Sequence, residues 1–325
     1  MTRRDKTKLS YVNRRAMFWL SYIIIAIILA GLIYSFKSEY YLTQILIIVN
    51  MLIFIVMMAG EMYDPGIITL LFNDLAGRAI YVGSPRLMLV RGHTFLTMMF
   101  IHGGPMHVFG NVIVLFFIGM PLEDRVGKKW TLTFYLVAGL LATFGQYLFN
   151  WLQFSFGFAP YEVLLIPNIG ASGAVFGIMG SLVFLFPRDR ITMIIPPLIL
   201  PRVRVDLAVG AFIMIQTGIV LFRGEGNIAH AAHFSGFAAG MLIAYYAKKA
   251  GIAEKDKAPL RDYTKLKRLV NDKETDRIYQ KIVEAEEKDV KEAWADHLIK
   301  KSRCPQCGKE LNGEKCECGF DVWED

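Results

Sequence analysis

The sequence predicts an all-α polytopic membrane protein with a small cysteine-containing module at its C-terminal end. Three observations carry that expectation. The 325-residue chain is 54% hydrophobic, with a positive mean hydropathy of +0.39, which places it among polytopic membrane proteins rather than soluble domains. Several uncharged runs approach or exceed the roughly 20 helical residues that cross about 30 Å of hydrocarbon. The formal net charge of +7 sits in loops and tails, so it reads as membrane orientation before nucleic-acid binding.

Candidate helices fall at 16–36, 40–60, about 106–122, about 131–151, about 170–187, 207–222 and 226–247, seven in all. The first run is too long for a signal-peptide core, and Ser35 to Glu39 offers no small-x-small cleavage site, so it is expected to remain in the mature protein. The run at 207–222 is short. It is expected to be tilted less than its neighbours, to be extended by the Arg204 to Asp206 end, or to be the mobile helix.

Residues 1–15 carry Arg3, Arg4, Lys6, Lys8, Arg14 and Arg15 against Asp5, a pattern that holds an end in the cytoplasm. The stretch 61–91 mixes charges, Gly and Pro with apolar residues and reads as a structured loop partly sunk in the membrane surface. After it comes His102-Gly-Gly-Pro-Met-His107-Val-Phe-Gly-Asn111. Pro105 suits a first helical turn, so His107 and Asn111 lie at i and i+4 on one face. Polar groups at membrane depth face a bundle interior or a wet cavity. Taken singly, each has the alternative of a purely structural interhelical hydrogen bond.

Basic loops follow three of the helices: Arg125, Lys128 and Lys129; Arg188, Arg190, Arg202 and Arg204; Lys248 and Lys249. All three are expected in the cytoplasm, which puts the connections 152–169 and 223–227 outside. The extra first helix then sends its basic tail outside, against the same rule. The tail is an exception, or the first run lies along the membrane, or the core is inverted.

The helix near 170–187 opens Gly170-Ala-Ser172-Gly173. Gly173, Gly177 and Gly180 leave one side flat for backbone-to-backbone packing. In the last run His233, Gly236 and Gly240 lie along one stripe, with the small-xxx-small pattern from Gly236 to Gly240. Apposing the two flat stripes delivers His233 to Ser172 as a general base reaches a nucleophile. His230, one turn nearer the surface, reads as a rim residue.

Taken together, Gly-Ala-Ser172-Gly with an aromatic four residues on, His102-x4-His107-x3-Asn111, Gly119 and Glu123, and His233-x2-Gly236-x3-Gly240 resemble a rhomboid intramembrane serine protease. The resemblance covers about 40–247, a six-helix core, and leaves one extra N-terminal hydrophobic helix in 1–39. It implies a Ser172–His233 dyad without an aspartate, cleaving single-span membrane proteins in or near the top of the transmembrane segment, with no catalytic cofactor. Phe176 would stack on the imidazole and orient it, as a carboxylate does in a triad. His107, Asn111 and the Ser172 N–H would form the oxyanion hole, each donor worth about 3 kcal/mol. His102 would support the cavity, and Glu123 would hold the cytoplasmic end of its helix through hydrogen bonds. Substrate would enter laterally past 207–222, with 226–230 as a lid. One departure is that His93-Thr94 occupy the place of a Trp-Arg pair common in the family; loop stability or lipid contact is where that difference would tell. Two readings from other classes stand beside the protease: a non-catalytic membrane-protein escort, and a small transporter, against which the polar groups cluster near one surface and no inverted repeat is visible.

Beyond 247 the composition turns to Lys, Glu, Asp and Arg, giving a charged helical linker over 248–301 whose apolar residues recur at helical intervals. All four cysteines then occur in 302–325, as Cys304-Pro-Gln-Cys307-Gly and Cys316-Glu-Cys318-Gly. This reads as a zinc-ribbon-like module with a closed four-cysteine site, in which structural zinc supplies folding energy. Two disulfides are the alternative, disfavoured in a reducing cytoplasm. Its few basic residues are balanced by acids, so a protein partner is expected rather than nucleic acid.

Overall fold

A computed structural model of the chain describes residues 3–195, 198–223, 230–252, 262–285 and 288–323. The chain is an all-α polytopic protein that divides into two compact units, Met1–Glu254 and Lys255–Asp325.

In the first unit, α1 (Arg3–Lys37) is followed by α2 (Leu42–Tyr63), then by the short helices α3 (Ile67–Leu75), α4 (Pro85–Arg91) and α5 (Thr94–Thr97). Next come α6 (Pro105–Val114), a π-helical turn (Leu115–Gly119) and α7 (Met120–Ser155). The unit closes with α8 (Ser172–Leu185), the hairpin β1 (Arg190–Ile195) and β2 (Leu198–Arg204), α9 (Val205–Arg223) and α10 (His230–Lys249). Among the described residues, three helices are long and apolar enough to cross a membrane, Trp19–Lys37, Leu42–Tyr63 and Pro105–Ser155; Ser172–Leu185 and Val205–Gly218 are shorter apolar helices. The stretch Pro105–Ser155 is two legs rather than one rod, because Gly127 (φ 75°, ψ 169°) breaks it. Only a glycine takes that φ without cost, and Lys128 and Lys129 sit at the turn. At 14 residues α8 is about 21 Å long; ten of its residues are buried by neighbouring helices and none is exposed, so protein more than lipid surrounds it.

Three pairs of helices run antiparallel where they meet. Leu20 meets Gly60 and Gly31 meets Val49, so α1 runs antiparallel to α2. Thr43 meets Gly119, while Phe54 packs with Val108 and Val112, which sets α2 antiparallel to α6. Ala138 and Ala142 of α7 meet Gly177 and Gly173 of α8 in the antiparallel sense. Between α8 and α10 the order is parallel: a Cβ on Gly236 would lie 2.2 Å from the Gly173 carbonyl oxygen, and one on Gly240 only 2.0 Å from that of Gly177. Only hydrogen fits at either place. The N-terminal ends of α6, α8 and α10 therefore share one end of the bundle.

The opposite end is stitched by consecutive polar residues after the π-helical turn. Glu123, buried, accepts the N–H groups of Leu42 (2.6 Å) and Thr43 (2.8 Å) and the Thr43 hydroxyl (2.7 Å). It thus caps the N-terminus of α2, where a carboxylate meets unpaired donors and the positive end of the helix dipole. Sequence reading expected Glu123 to hold the end of its helix through hydrogen bonds and named no partner; the partner is the start of α2. Asp124 bonds the Tyr41 hydroxyl, and Lys128 Nζ donates to the carbonyls of Ser35 (2.8 Å) and Ser38 (2.6 Å), capping α1.

The segment 61–91 is a set of short helices closed by Arg78, which donates to Leu165 O, Asn73 Oδ1 and the Tyr81 hydroxyl. At the Trp-Arg position, His93 Nε2 contacts Asp74 O at 2.8 Å and the Thr94 hydroxyl donates to Arg91 O at 2.7 Å. The basic segment after α8, read as a plain loop, pairs as a β-hairpin from Arg190↔Arg204 to Ile195↔Leu198, a strand pattern that a search for membrane helices does not seek. Helix α9 begins at Val205, at the charged end expected to extend it. The expected lid at 226–230 lies outside the described residues except for His230.

In the second unit, α11 (Lys273–Glu284) and α12 (Lys288–Lys301) share one core with the cysteine segment: Leu266, Leu269, Ile278, Ile282, Leu298, Ile299, Cys304, Leu311 and Val322 are all buried. The residues read as a charged linker and those read as a separate ribbon are one compact unit here. The apolar stripe of α11 and α12 packs against Cys304, Leu311 and Val322 of the segment 302–323.

Candidate active site

Ser172 is the first residue of α8, after Gly170 in the left-handed region (φ 107°). A Cβ on Gly170 would lie 2.5 Å from His107 Nε2, so the missing side chain is what admits that imidazole. His233 is in the second turn of α10. The glycine contacts between α8 and α10 bring its Nε2 to 2.9 Å from Ser172 Oγ. Phe176, one turn below Ser172, lies flat on the His233 ring, with centroids 4.3 Å apart and planes 8° apart. Its other side meets Phe212 of α9 at 5.9 Å. Phe212 was not among the residues singled out from sequence, because nothing local distinguishes it from a lipid-facing phenylalanine.

On the other side of Ser172 stand His102, His107 and Asn111. His102 is buried; its Nε2 accepts the Ala171 N–H at 3.3 Å, and its ring stands edge-on to His107 with centroids 5.0 Å apart. His107 Nδ1 accepts the Gly103 N–H at 3.4 Å. A neutral imidazole that accepts at Nδ1 carries its proton on Nε2, the nitrogen that faces Gly170. Asn111, buried, donates from Nδ2 to His107 O at 2.8 Å, which uses one of its two amide hydrogens. The first N–H groups of α8 have no intrahelical acceptor, and that of Ala171, just before them, is taken by His102. Gly173, Gly236 and Gly240 lie at the helix contact itself. Glu123 is at the far end of the bundle and takes no part here. His230 stands edge-on to His233, with centroids 6.2 Å apart.

A serine hydroxyl at hydrogen-bond distance from an imidazole nitrogen, with an aromatic ring flat on that imidazole, is an arrangement that can support acyl transfer.

In the second unit the four sulfurs of Cys304, Cys307, Cys316 and Cys318 all lie within 4.8 Å of one another, near enough to hold a metal ion. The cysteines are free of disulfides. Two tight turns present them: Gly308 N–H donates to Cys304 O (2.9 Å) and Gly319 N–H to Cys316 O (2.9 Å), both glycines having positive φ.

Comparison with known proteins places a rhomboid match within the first unit. Residues 90–250 match the family model described as Rhomboid domain, a span that includes His102, His107, Asn111, Ser172 and His233. The chain is 28% identical over 149 residues to Rhomboid protease GluP of Bacillus subtilis, covering 46% of this chain and 25% of that one. It is 30% identical over 158 residues to Rhomboid-related protein 2 of Mus musculus, covering 46% of each. It is also 25% identical over 151 residues to Rhomboid protein 1, mitochondrial, of Saccharomyces cerevisiae, covering 44% of this chain and 38% of that one. The chain spans a quarter to just under half the length of these relatives. The matches support the rhomboid family and, with the apolar helices, an integral membrane protein.

Proposed function

We propose that this chain is a rhomboid-type intramembrane serine endopeptidase, with Ser172 as nucleophile and His233 as general base. The observation that carries the reading is the 2.9 Å approach of His233 Nε2 to Ser172 Oγ with Phe176 parallel behind the imidazole. As Oγ attacks the scissile carbonyl carbon, its proton passes to Nε2, and the carbonyl π electrons move to oxygen. The oxyanion is met by Nε2–H of His107, the second amide hydrogen of Asn111 and the Ser172 N–H, each donor worth about 3 kcal/mol. His233 then returns the proton to the leaving amine, and water repeats the sequence to release the acyl group. His102 holds the Ala171 peptide and the His107 ring in place.

The substrates are single-span membrane proteins that reach the site laterally, past α9 and within the bilayer. With the three basic loops in the cytoplasm, the far end of the bundle and Lys248–Lys249 lie on that side and the dyad lies near the outer face. Lys128 and Glu123 anchor α1 and α2 at that same cytoplasmic end. On this reading the four-cysteine cluster holds a structural zinc ion: four thiolates, two glycine-closed turns and no open position suit a site that folds a module rather than one that catalyses. The second unit would then dock a protein partner.

The test is cleavage of a tagged single-span substrate in liposomes by the wild type, Ser172→Ala, His233→Ala and His230→Ala. Loss of cleavage in the first two variants with retention in the third supports the dyad. Equal cleavage by Ser172→Ala overturns it. The alternative, a non-catalytic escort, would bind the same substrates and cleave none.

A further inference from the structure

Two carboxamides buried in the bundle take no part in the chemistry above. Gln146 and Asn150 lie one turn apart on α7, in a run without charged residues. Asn150 Nδ2 donates to Val163 O at 3.2 Å, in the turn Tyr161–Leu165; Asn150 Oδ1 accepts from Gln146 Nε2 at 2.8 Å; and Gln146 Oε1 accepts the Ala232 N–H at 3.1 Å. Both amide orientations are fixed from the ends of this chain. A carbonyl can only accept and a backbone N–H can only donate, so Asn150 must turn its NH2 to Val163 and Gln146 its oxygen to Ala232. Ala232 lies near the described start of α10, its N–H is given to Gln146, and leaving such a group unpaired in an apolar bundle is costly. The next residue is His233.

We infer that Gln146, oriented by Asn150, is a positioning residue for the His233 imidazole. Ala142 of the same α7 face meets both Gly173 and Gly236, and Gly145 meets Ser235. One helix therefore touches the carrier of the nucleophile and the carrier of the base. The glycine contacts fix how closely α8 and α10 approach, and Gln146 fixes the first turn of α10 against α7. It also ties that turn to the 161–165 segment of the connection leading into Ser172. In sequence, the signal was a carboxamide pair at i and i+4 inside an uncharged run, which is read past when the search is for nucleophiles and bases. The inference rests on the dyad reading.

The test uses the full chain in detergent, comparing the wild type with Gln146→Met, Gln146→Glu and Asn150→Leu. The readouts are the rate of fluorophosphonate labelling per folded molecule, kcat and KM on a tagged single-span substrate, and Tm. Gln146→Met keeps the length of the side chain and removes the acceptor, so labelling rate and kcat fall about tenfold while KM stays within about twofold. Gln146→Glu, which restores an oxygen for the Ala232 N–H, recovers most of the rate, and Asn150→Leu falls between. Folded Met and Leu variants that label as fast as the wild type overturn the inference, as does a Glu variant no faster than the Met variant. If Gln146→Met does not fold, Asn150→Leu against the wild type decides. A folded wild type that leaves the probe unreacted overturns the dyad and this inference with it; a reactive wild type matched by Gln146→Met overturns this inference alone.

Discussion

The Phe176 ring lies parallel to the His233 imidazole, 4.3 Å between centroids and 8° between planes. On the proposed mechanism no carboxylate is needed to orient the base, because a flat apolar contact restricts its rotation. An aromatic contact of this kind contributes about 0.5–1.5 kcal/mol beyond area burial. Phe176→Leu is therefore expected to lower kcat by a factor of about 2 to 10, with Phe176→Tyr close to the wild type. Steady-state cleavage of a tagged substrate checks it, and a Leu variant at full kcat contradicts the orienting role.

On the proposed mechanism, removing one oxyanion donor has a larger effect than loosening the base. Asn111→Ala and His107→Ala are each expected to lower kcat by roughly 10²- to 10³-fold with little change in KM, since the charge they meet develops only in the transition state. The Asn111 amide bonds the backbone carbonyl of His107, which His107→Ala retains, but on the proposed mechanism both donors meet one oxyanion, so the double variant should lose less than the product of the two single losses. Kinetics of the three variants measure that coupling directly.

At the other end of the bundle the expected loss is in stability rather than in chemistry. Glu123→Ala leaves the buried N–H groups of Leu42 and Thr43 unpaired, at about 1–3 kcal/mol for each unsatisfied group. Thermal unfolding in detergent should register the loss, while kcat per folded molecule stays near that of the wild type.

Much of this was legible in the sequence because the chemistry sits in local motifs. Gly-Ala-Ser172-Gly, His107 with Asn111, and His233 with Gly236 and Gly240 each stand out within a few residues, and the glycine spacing indicates the helix contact that brings His233 to Ser172. What was not legible depended on partners distant in the chain. Glu123 shows no partner until Leu42 and Thr43 are seen beside it, and Lys128 reads as a topological charge until it caps α1. The hairpin Arg190–Arg204 was hidden because its apolar residues look like part of a cytoplasmic loop between two spans. The second unit was divided at 301 by a change in composition, although its core joins Leu266 and Ile278 to Leu311 and Val322.

That shared core changes the truncation that isolates the cysteine unit's role. Removing only 300–325 would expose the apolar face of α11 and α12, so the cut belongs after residue 254. The chain ending there is expected to cleave a bare model substrate at the wild-type rate. The full chain is expected to carry one zinc per molecule by metal analysis, lost in Cys304→Ser. Metal-free protein with an intact second unit would remove the zinc assignment.

The most direct test of the central claim is the identity of the residue modified by a fluorophosphonate probe. Purified wild type, Ser172→Ala and His233→Ala are treated with the probe and the adduct is located by peptide mass spectrometry. A single adduct on Ser172 in the wild type, absent from Ser172→Ala and formed at least about a hundredfold more slowly in His233→Ala, is the predicted result. An unreacted, folded wild type, or a His233→Ala variant that labels at the wild-type rate, would contradict it.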